Sequence, residues 1–182
     1  MRRRSGPVTL FGRTLVLRPF RREELDDLWR GHQLARRAHR QPTPPGAYQR
    51  LRGLVVNSGR LHRGIVYLAI EVDGRRVGEI EARQPSTGLP PGVFELGISL
   101  AEGERGRGYG TEAVELLTSH LFAEGAHRVQ ASTSLENRPM QRVLEKAGFE
   151  REGILRGFLP PDAPEDYVLY GITRRDWEAR GS

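Results

Sequence analysis

The feature that most constrains this chain is the hexad Arg105-Gly106-Arg107-Gly108-Tyr109-Gly110, set between two strongly patterned runs. Before it, from Val93 to Leu100, Phe94, Leu96, Ile98 and Leu100 alternate strictly with Glu95, Gly97 and Ser99. That is the pattern of a strand with one apolar face and one face left for chemistry. After it, Val114, Leu117 and Leu121 align at helical spacing between Thr111 and about Glu124, and Arg128 to Ser132 reads as a further strand. A strand, glycine loop, helix and strand in that order aim backbone N–H groups and the positive end of a helix dipole at an anion on the loop. Glycines let that anion come close, and the expected occupant is a pyrophosphate. The loop has neither the lysine of a P-loop nor G-x-G-x-x-G spacing, so it is neither of those phosphate sites.

The rest of the chain supplies a sheet around this unit. Ile65 to Val72 and Val77 to Arg83 are β-prone runs joined by Asp73-Gly74, two residues that tolerate positive φ and so predict a hairpin. Leu15 and Leu17 alternate in a strand from Thr14 to Phe20, and strands are expected near Gly153 to Phe158 and Asp166 to Ile172. Leu25, Leu28, Trp29 and His32 recur at helical spacing from Arg22 to about Arg37, and a second, shorter helix runs from Tyr48 to Val56. Pro139 suits the first turn of a helix whose stripe is Met140, Val143, Leu144 and Ala147, stopped by Gly148-Phe149. The expected fold is α/β, a mixed and mostly antiparallel sheet of six to seven strands flanked by about four helices. With 182 residues it makes one domain, residues 14–180, after a flexible basic stretch at 1–13. No internal repeat is present.

Composition narrows the function. Without cysteine there are no disulfides, thiolate metal sites or cysteine nucleophiles, and the five histidines form no metal-spaced pair, so no metal is expected. His32, His39, His62, His120 and His127 read as surface or packing residues. The net charge of +6 invites a nucleic-acid reading, but of 29 basic residues only Lys146 is lysine, which points to biased codon usage. Aromatic residues are not interleaved with the arginines as a stacking platform requires, so nucleic acid is not the expected partner. No run of about 18 apolar residues and no signal-peptide pattern is found, and a soluble, cytoplasmic protein is expected.

Arg105-x-x-Gly108-x-Gly110 resembles the acyl-CoA pyrophosphate motif of the GNAT superfamily of N-acetyltransferases. Glu95-Leu96-Gly97-Ile98-Ser99-Leu100 resembles the strand that precedes that motif, and Asn137 with Leu144-Glu145-Lys146-Ala147-Gly148-Phe149 resembles the motif that follows. Leu15-Val16-Leu17-Arg18-Pro19-Phe20, Asp166-Tyr167-Val168-Leu169-Tyr170 and Trp177 are similar to the RimJ/RimL-like branch, so the resemblance covers nearly the whole chain. It implies acetyl-CoA as cosubstrate, with pyrophosphate contacts from Arg105, Gly106, Arg107, Gly108, Tyr109 and Gly110, and with Thr111 adding a phosphate hydrogen bond or merely capping. It also implies a bulge near Gly97 to Leu100 that splays the two strands flanking the helix. Backbone groups of Ile98 and Leu100, with Ser99 between them, would then bind pantetheine as a strand does. Asn137 is a pantetheine contact, a helix cap, or both. Arg138 and Arg142 are candidates for the 3′-phosphate of CoA.

The implied reaction is direct attack of a primary amine on the thioester in a ternary complex. The resemblance points to a protein N-terminal α-amine as acceptor; a small amine (aminoglycoside, polyamine or natural-product intermediate) and a noncatalytic CoA-binding module are the alternatives. An ammonium has no lone pair, so a base is useful, modestly for an α-amine of pKa about 7.7–8.0. Glu95 resembles the branch's strand glutamate and is the expected base, with Glu79 and Glu81 as substitutes. The chain departs from the family at the general acid, where Leu144 and Met140 replace the usual tyrosine and serine. A homodimer is a fair expectation.

Overall fold

The computed structural model describes residues 6–38, 42–84, 90–159 and 164–180. The arginine cluster at 2–4, His39, Gln41 and most of the loops at 85–92 and 160–164 lie outside them. The described residues form an eight-stranded sheet in the order β1-β2-β3-β4-β5-β6-β8-β7. These are β1 (Leu10–Phe11), β2 (Val16–Arg18), β3 (Ile65–Val72), β4 (Arg75–Arg83), β5 (Val93–Leu100), β6 (Arg128–Ser134), β7 (Glu150–Leu155) and β8 (Tyr167–Thr173). All neighbours are antiparallel except β5 and β6, which are parallel because α3 (Tyr109–Ala123) makes the crossover between them. The helices α1 (Leu25–Ala38) and α2 (Ala47–Val56) pack on one face, with α4 (Arg138–Lys146) beside α3 on the other.

The α/β class and the mostly antiparallel sheet match expectation, with two additions. Part of the segment read as a flexible basic arm, Leu10–Phe11, pairs with Leu17 and Val16, because Val8 and Leu10 have apolar surface to pack on the main core. A fifth helix, α5 (Arg174–Arg180), follows β8, and its arginines bond the carbonyls at the ends of α3 and α4. Arg174 donates to the carbonyls of Phe122 and Ala126, and Arg180 to that of Ala147. Cations there also complement the negative ends of the helix dipoles.

Cross-strand partners share a face, so the register sorts the side chains. Val66, Leu68 and Ile70 of β3 line up with Ala82, Ile80 and Gly78 of β4, then with Leu96, Ile98 and Leu100 of β5, and this face meets α3 and α4. The opposite face carries Tyr67, Glu81 and Gly97 in one row and Ala69, Glu79 and Ser99 in the next, under α1 and α2. The Asp73-Gly74 turn has φ of 49° and 75°, as the two-residue hairpin requires. A register shift at Ile70/Glu71 leaves Val77 as the extra residue. It decides which β4 side chains join which face, since a one-residue slip moves every side chain to the other side.

Candidate active site

The parallel pairing of β5 with β6 is short. It joins Val93 to Arg128, Phe94 to Val129 and Glu95 to Gln130, and stops there, while β5 stays paired with β4 as far as Leu100. Beyond Glu95 the β6-side edge of β5 therefore has no strand partner, and the two strands form a wedge with Glu95 at its vertex. The expected bulge is not found, because the β4–β5 register runs unshifted from Arg83 with Glu95 to Gly78 with Leu100. Strand divergence alone opens the edge. Ile98 and Leu100, read as core, are only half-buried because they border that opening.

The glycine loop closes the mouth of the wedge. Gly106 and Gly108 have φ of 77° and 87°, a left-handed conformation that costs a side-chain-bearing residue energy, and no atom stands within 4 Å of where either Cβ would be. Gly108 caps α3, so the helix begins at Tyr109, two residues before the expected Thr111, and Tyr109, Gly110 and Thr111 form its first turn. Their N–H groups lack intrahelical partners and point out of the helix end. Gly110 is buried against Val143 of α4 and Leu100 of β5, with 3.3 Å between its would-be Cβ and Val143 Cγ2. Arg105 donates from Nε to the Leu100 carbonyl at 3.3 Å. The buried Glu104 holds Arg75 of β4 at 2.8 Å and Arg107 of the loop at 3.6 Å, tying the loop to the β3–β4 hairpin. Open space, unpaired N–H groups and arginines together fit a pyrophosphate.

Asn137 is the N-cap of α4, accepting from the Met140 N–H at 3.2 Å through Oδ1. Arg142 is exposed on the same helix. Sequence reasoning passed over Gln141, which is buried and donates to the carbonyls of Ser134 and Leu135, tying α4 to the end of β6. Ser99 sits apart from the other expected cofactor contacts. Its side chain is on the α1 face, opposite Glu79, and its backbone, two residues before the Ala101 N–H that bonds the Val77 carbonyl, is turned toward β4.

On that α1 face two adjoining clefts of about 510 and 250 Å³ share His32, Glu79 and Ser99. His32, read as a surface or packing residue, bonds Glu79 Oε1 through Nε2 at 2.8 Å. That bond raises its pKa above the ordinary value against the opposing pull of burial. Only its place on the apolar stripe of the helix hinted at this. Tyr67 is buried beside Glu79, and burial pushes its phenol well above the usual range. Ser132 donates to Glu95 Oε1 at 3.3 Å. Burial raises the Glu81 carboxyl, with Arg83 opposing and Glu79 adding to the effect.

The wall bearing His32 is anchored at its start by charge. Arg18, 8% exposed, donates to Glu71 at 2.6 Å and to both oxygens of Glu24 at 2.8 and 2.9 Å. Glu24 also accepts from the Arg21 N–H at 2.7 Å, capping the turn that leads into α1.

Residues 14–150 match the model of the acetyltransferase (GNAT) domain. The chain belongs to the GNAT acetyltransferase family. Among GNAT relatives, the probable N-acetyltransferase YjcK of Bacillus subtilis is 39% identical over 108 residues, 58% of this chain and 59% of that protein. The ribosomal protein uS5 alanine N-acetyltransferase of Escherichia coli is 30% identical over 84 residues, 45% of this chain and 43% of that one. The chain thus matches roughly half of the length of these curated relatives. Among solved structures, Mycobacterium smegmatis RimJ in complex with CoA-disulfide superposes with a TM-score of 0.73 at 26% identity, covering 96% of this chain and 95% of that one. Among the described residues no helix is long and apolar enough to cross a membrane, and no group of three or more His, Asp or Glu side chains could hold a metal ion.

Proposed function

We propose that this chain moves the acetyl group of acetyl-CoA to a primary amine by direct attack in a ternary complex, and that the acceptor is the α-amine of a protein N-terminus. The observation that carries the reading is the wedge between β5 and β6, which has the anion-binding loop at its mouth and Glu95 at its vertex. The first turn of α3 with Arg105 to Thr111 takes the pyrophosphate. The open edge at Ile98 to Leu100 takes pantetheine, Asn137 adds a contact through its amide N–H groups, and Arg142 meets the 3′-phosphate. Glu95 takes the proton of the incoming ammonium, steadied by Ser132. The working unit is residues 14–180, acting in the cytoplasm, alone or as a homodimer.

The N-terminal acceptor is supported by the likeness to the uS5 alanine enzyme and to RimJ, the latter along almost the whole chain. A second reading, a small polycationic amine, is favoured by Glu79, Glu81 and Glu95 sharing one face of the sheet. CoA release is to be followed with acetyl-CoA and two pools, N-terminal peptides and aminoglycosides with polyamines. Turnover confined to peptides supports the proposal, turnover confined to the other pool supports the second reading, and acetyl-CoA binding without turnover of either makes the chain a CoA-binding module.

A further inference from the structure

The two positions from which the family resemblance would supply a proton to the departing sulfur carry Leu144 and Met140, which have none to give. Leu144 is also wholly buried in the core, where no substrate reaches it. On the α1 face, beside the stretch of β5 that has lost its β6 partner, lies Glu81 instead. It pairs across the sheet with Gly97, two residues beyond the last β5–β6 pair. Because Gly97 has no side chain, the carboxylate leans over it: a Cβ there would stand 3.2 Å from Glu81 Oε1 and 3.4 Å from its Cγ. Glu81 also lines the 250 Å³ cleft with Tyr67, Gly97, Ile98 and Ser99, so the cleft borders the β5 residues beyond the last β5–β6 pair. The neighbouring carboxylates are engaged elsewhere, Glu79 with His32 and Glu95 with Ser132.

We propose that Glu81 carries the proton of the attacking nitrogen to the departing sulfur. The step rests on the acetyl transfer proposed above and balances without another reactant. The nitrogen lone pair forms the C–N bond and one N–H proton passes to the Glu81 carboxylate. The C–S bond then breaks with its electron pair on sulfur, and the same proton moves from Glu81 to the thiolate. Glu95 takes the earlier proton, that of the ammonium before attack. The charged groups around Glu81 are Arg83 at 3.3 Å, Glu79, His32 from α1 and Glu95 from β5. Burial and the two carboxylates favour its protonated form, while Arg83 and His32 oppose them.

The test uses the full chain and two readouts. In the first, Glu81→Gln lowers kcat by about 10²-fold, the lower bound for a proton-transfer group, with the dissociation constant of acetyl-CoA unchanged. Gly97→Ala, which adds only the methyl group that displaces the carboxylate, lowers kcat by a smaller factor. A Glu81→Gln enzyme with wild-type kcat overturns the proposal. The second readout needs no turnover. With 13C-labelled glutamate carboxyls, the Glu81 resonance, assigned by its loss in Glu81→Gln, titrates above the other glutamates. It shifts when S-acetonyl-CoA, an unreactive analogue of acetyl-CoA, is bound. An unmoved Glu81 resonance overturns the proposal even if the enzyme is active. A shifted resonance in a protein that acetylates no amine sustains the placement of Glu81 and overturns the transferase reading instead.

Discussion

The face of the sheet under α3 and α4 and the face under α1 and α2 are held by different kinds of contact. The α3 and α4 face, to which the proposal assigns the cofactor, is a single large apolar cluster running from Leu15 through Ile80, Val114 and Leu144 to Ile172. Its helix ends are closed by arginines of α5. The α1 and α2 face, to which the proposal assigns the acceptor, has a small cluster of Phe20, Leu28, Leu51, Val55, Tyr67 and Ala69. Its helix α1 is fixed by ions, at one end through Arg18 with Glu24 and Glu71 and in the middle through His32 with Glu79. Apolar packing is indifferent to pH, whereas ion pairs respond to it. The α3 and α4 half rests mainly on packing that pH does not touch, with Glu104 and Glu112 as its buried carboxylates, whereas the placement of α1 hangs largely on ion pairs that respond to solution conditions.

The sharpest way to separate the halves is to damage each alone. Gly108→Val forces a β-branched side chain into a left-handed backbone and into the space the phosphate needs, and is expected to abolish acetyl-CoA binding by calorimetry while the fold survives. Glu95→Gln removes the proton acceptor at the vertex. It should lower kcat by about 10²-fold with acetyl-CoA affinity kept, and wild-type turnover in that variant would remove Glu95 from the mechanism. Arg18→Ala leaves Glu71 with only Arg21 and Glu24 with only Arg76 at 3.6 Å and the Arg21 N–H, a loss of about 2 kcal/mol, or a melting temperature lower by about 6 °C. Acetyl-CoA affinity below the transition should stay unchanged, because no cofactor contact is touched. A loss of cofactor binding there would show that the halves are not independent.

Acid sharpens the same contrast. Burial pulls the Glu24 carboxyl up, but hydrogen bonds from Arg18 and the Arg21 N–H outweigh it and hold the group below its ordinary value of 4.5. A carboxyl held low stabilises the fold at pH values above its unfolded pKa, and that stability is lost as pH falls through the folded one. Melting curves should therefore be flat down to about pH 5 and fall below it. In Arg18→Ala the Glu24 part of that fall should vanish. The smallest effect belongs to His32→Ala, which breaks one exposed-edge bond to Glu79. It should raise the acceptor KM a few-fold and leave kcat nearly unchanged, as steady-state kinetics will show.

Much of the cofactor half was legible in the sequence because its signals are local. The alternation from Phe94 to Leu100, the glycines of the loop, and the Gly148-Phe149 stop each act within a few residues. In the structure Gly148 has φ of 86°, and the N–H of Phe149 bonds the Leu144 carbonyl at 2.9 Å. The acceptor half was harder to read because its contacts join distant segments. Arg18 reaches Glu71 across 53 positions and His32 reaches Glu79 across 47. The register shift at Ile70/Glu71 also places Tyr67 opposite Glu81, where an unshifted hairpin would pair it with Ile80 on the other face. The start of α3 at Tyr109 was missed for a related reason: a glycine in the left-handed region reads as loop until its neighbours show it to be a cap.

The central claim is that the open edge of β5, with the first turn of α3 at its mouth, is built to hold acetyl-CoA. It is tested most directly by titrating acetyl-CoA into the wild-type protein and into Gly108→Val by calorimetry. Saturable micromolar binding to the wild type and none to the variant is the predicted result. Absence of binding to the wild-type protein, or equal binding to both, would contradict it.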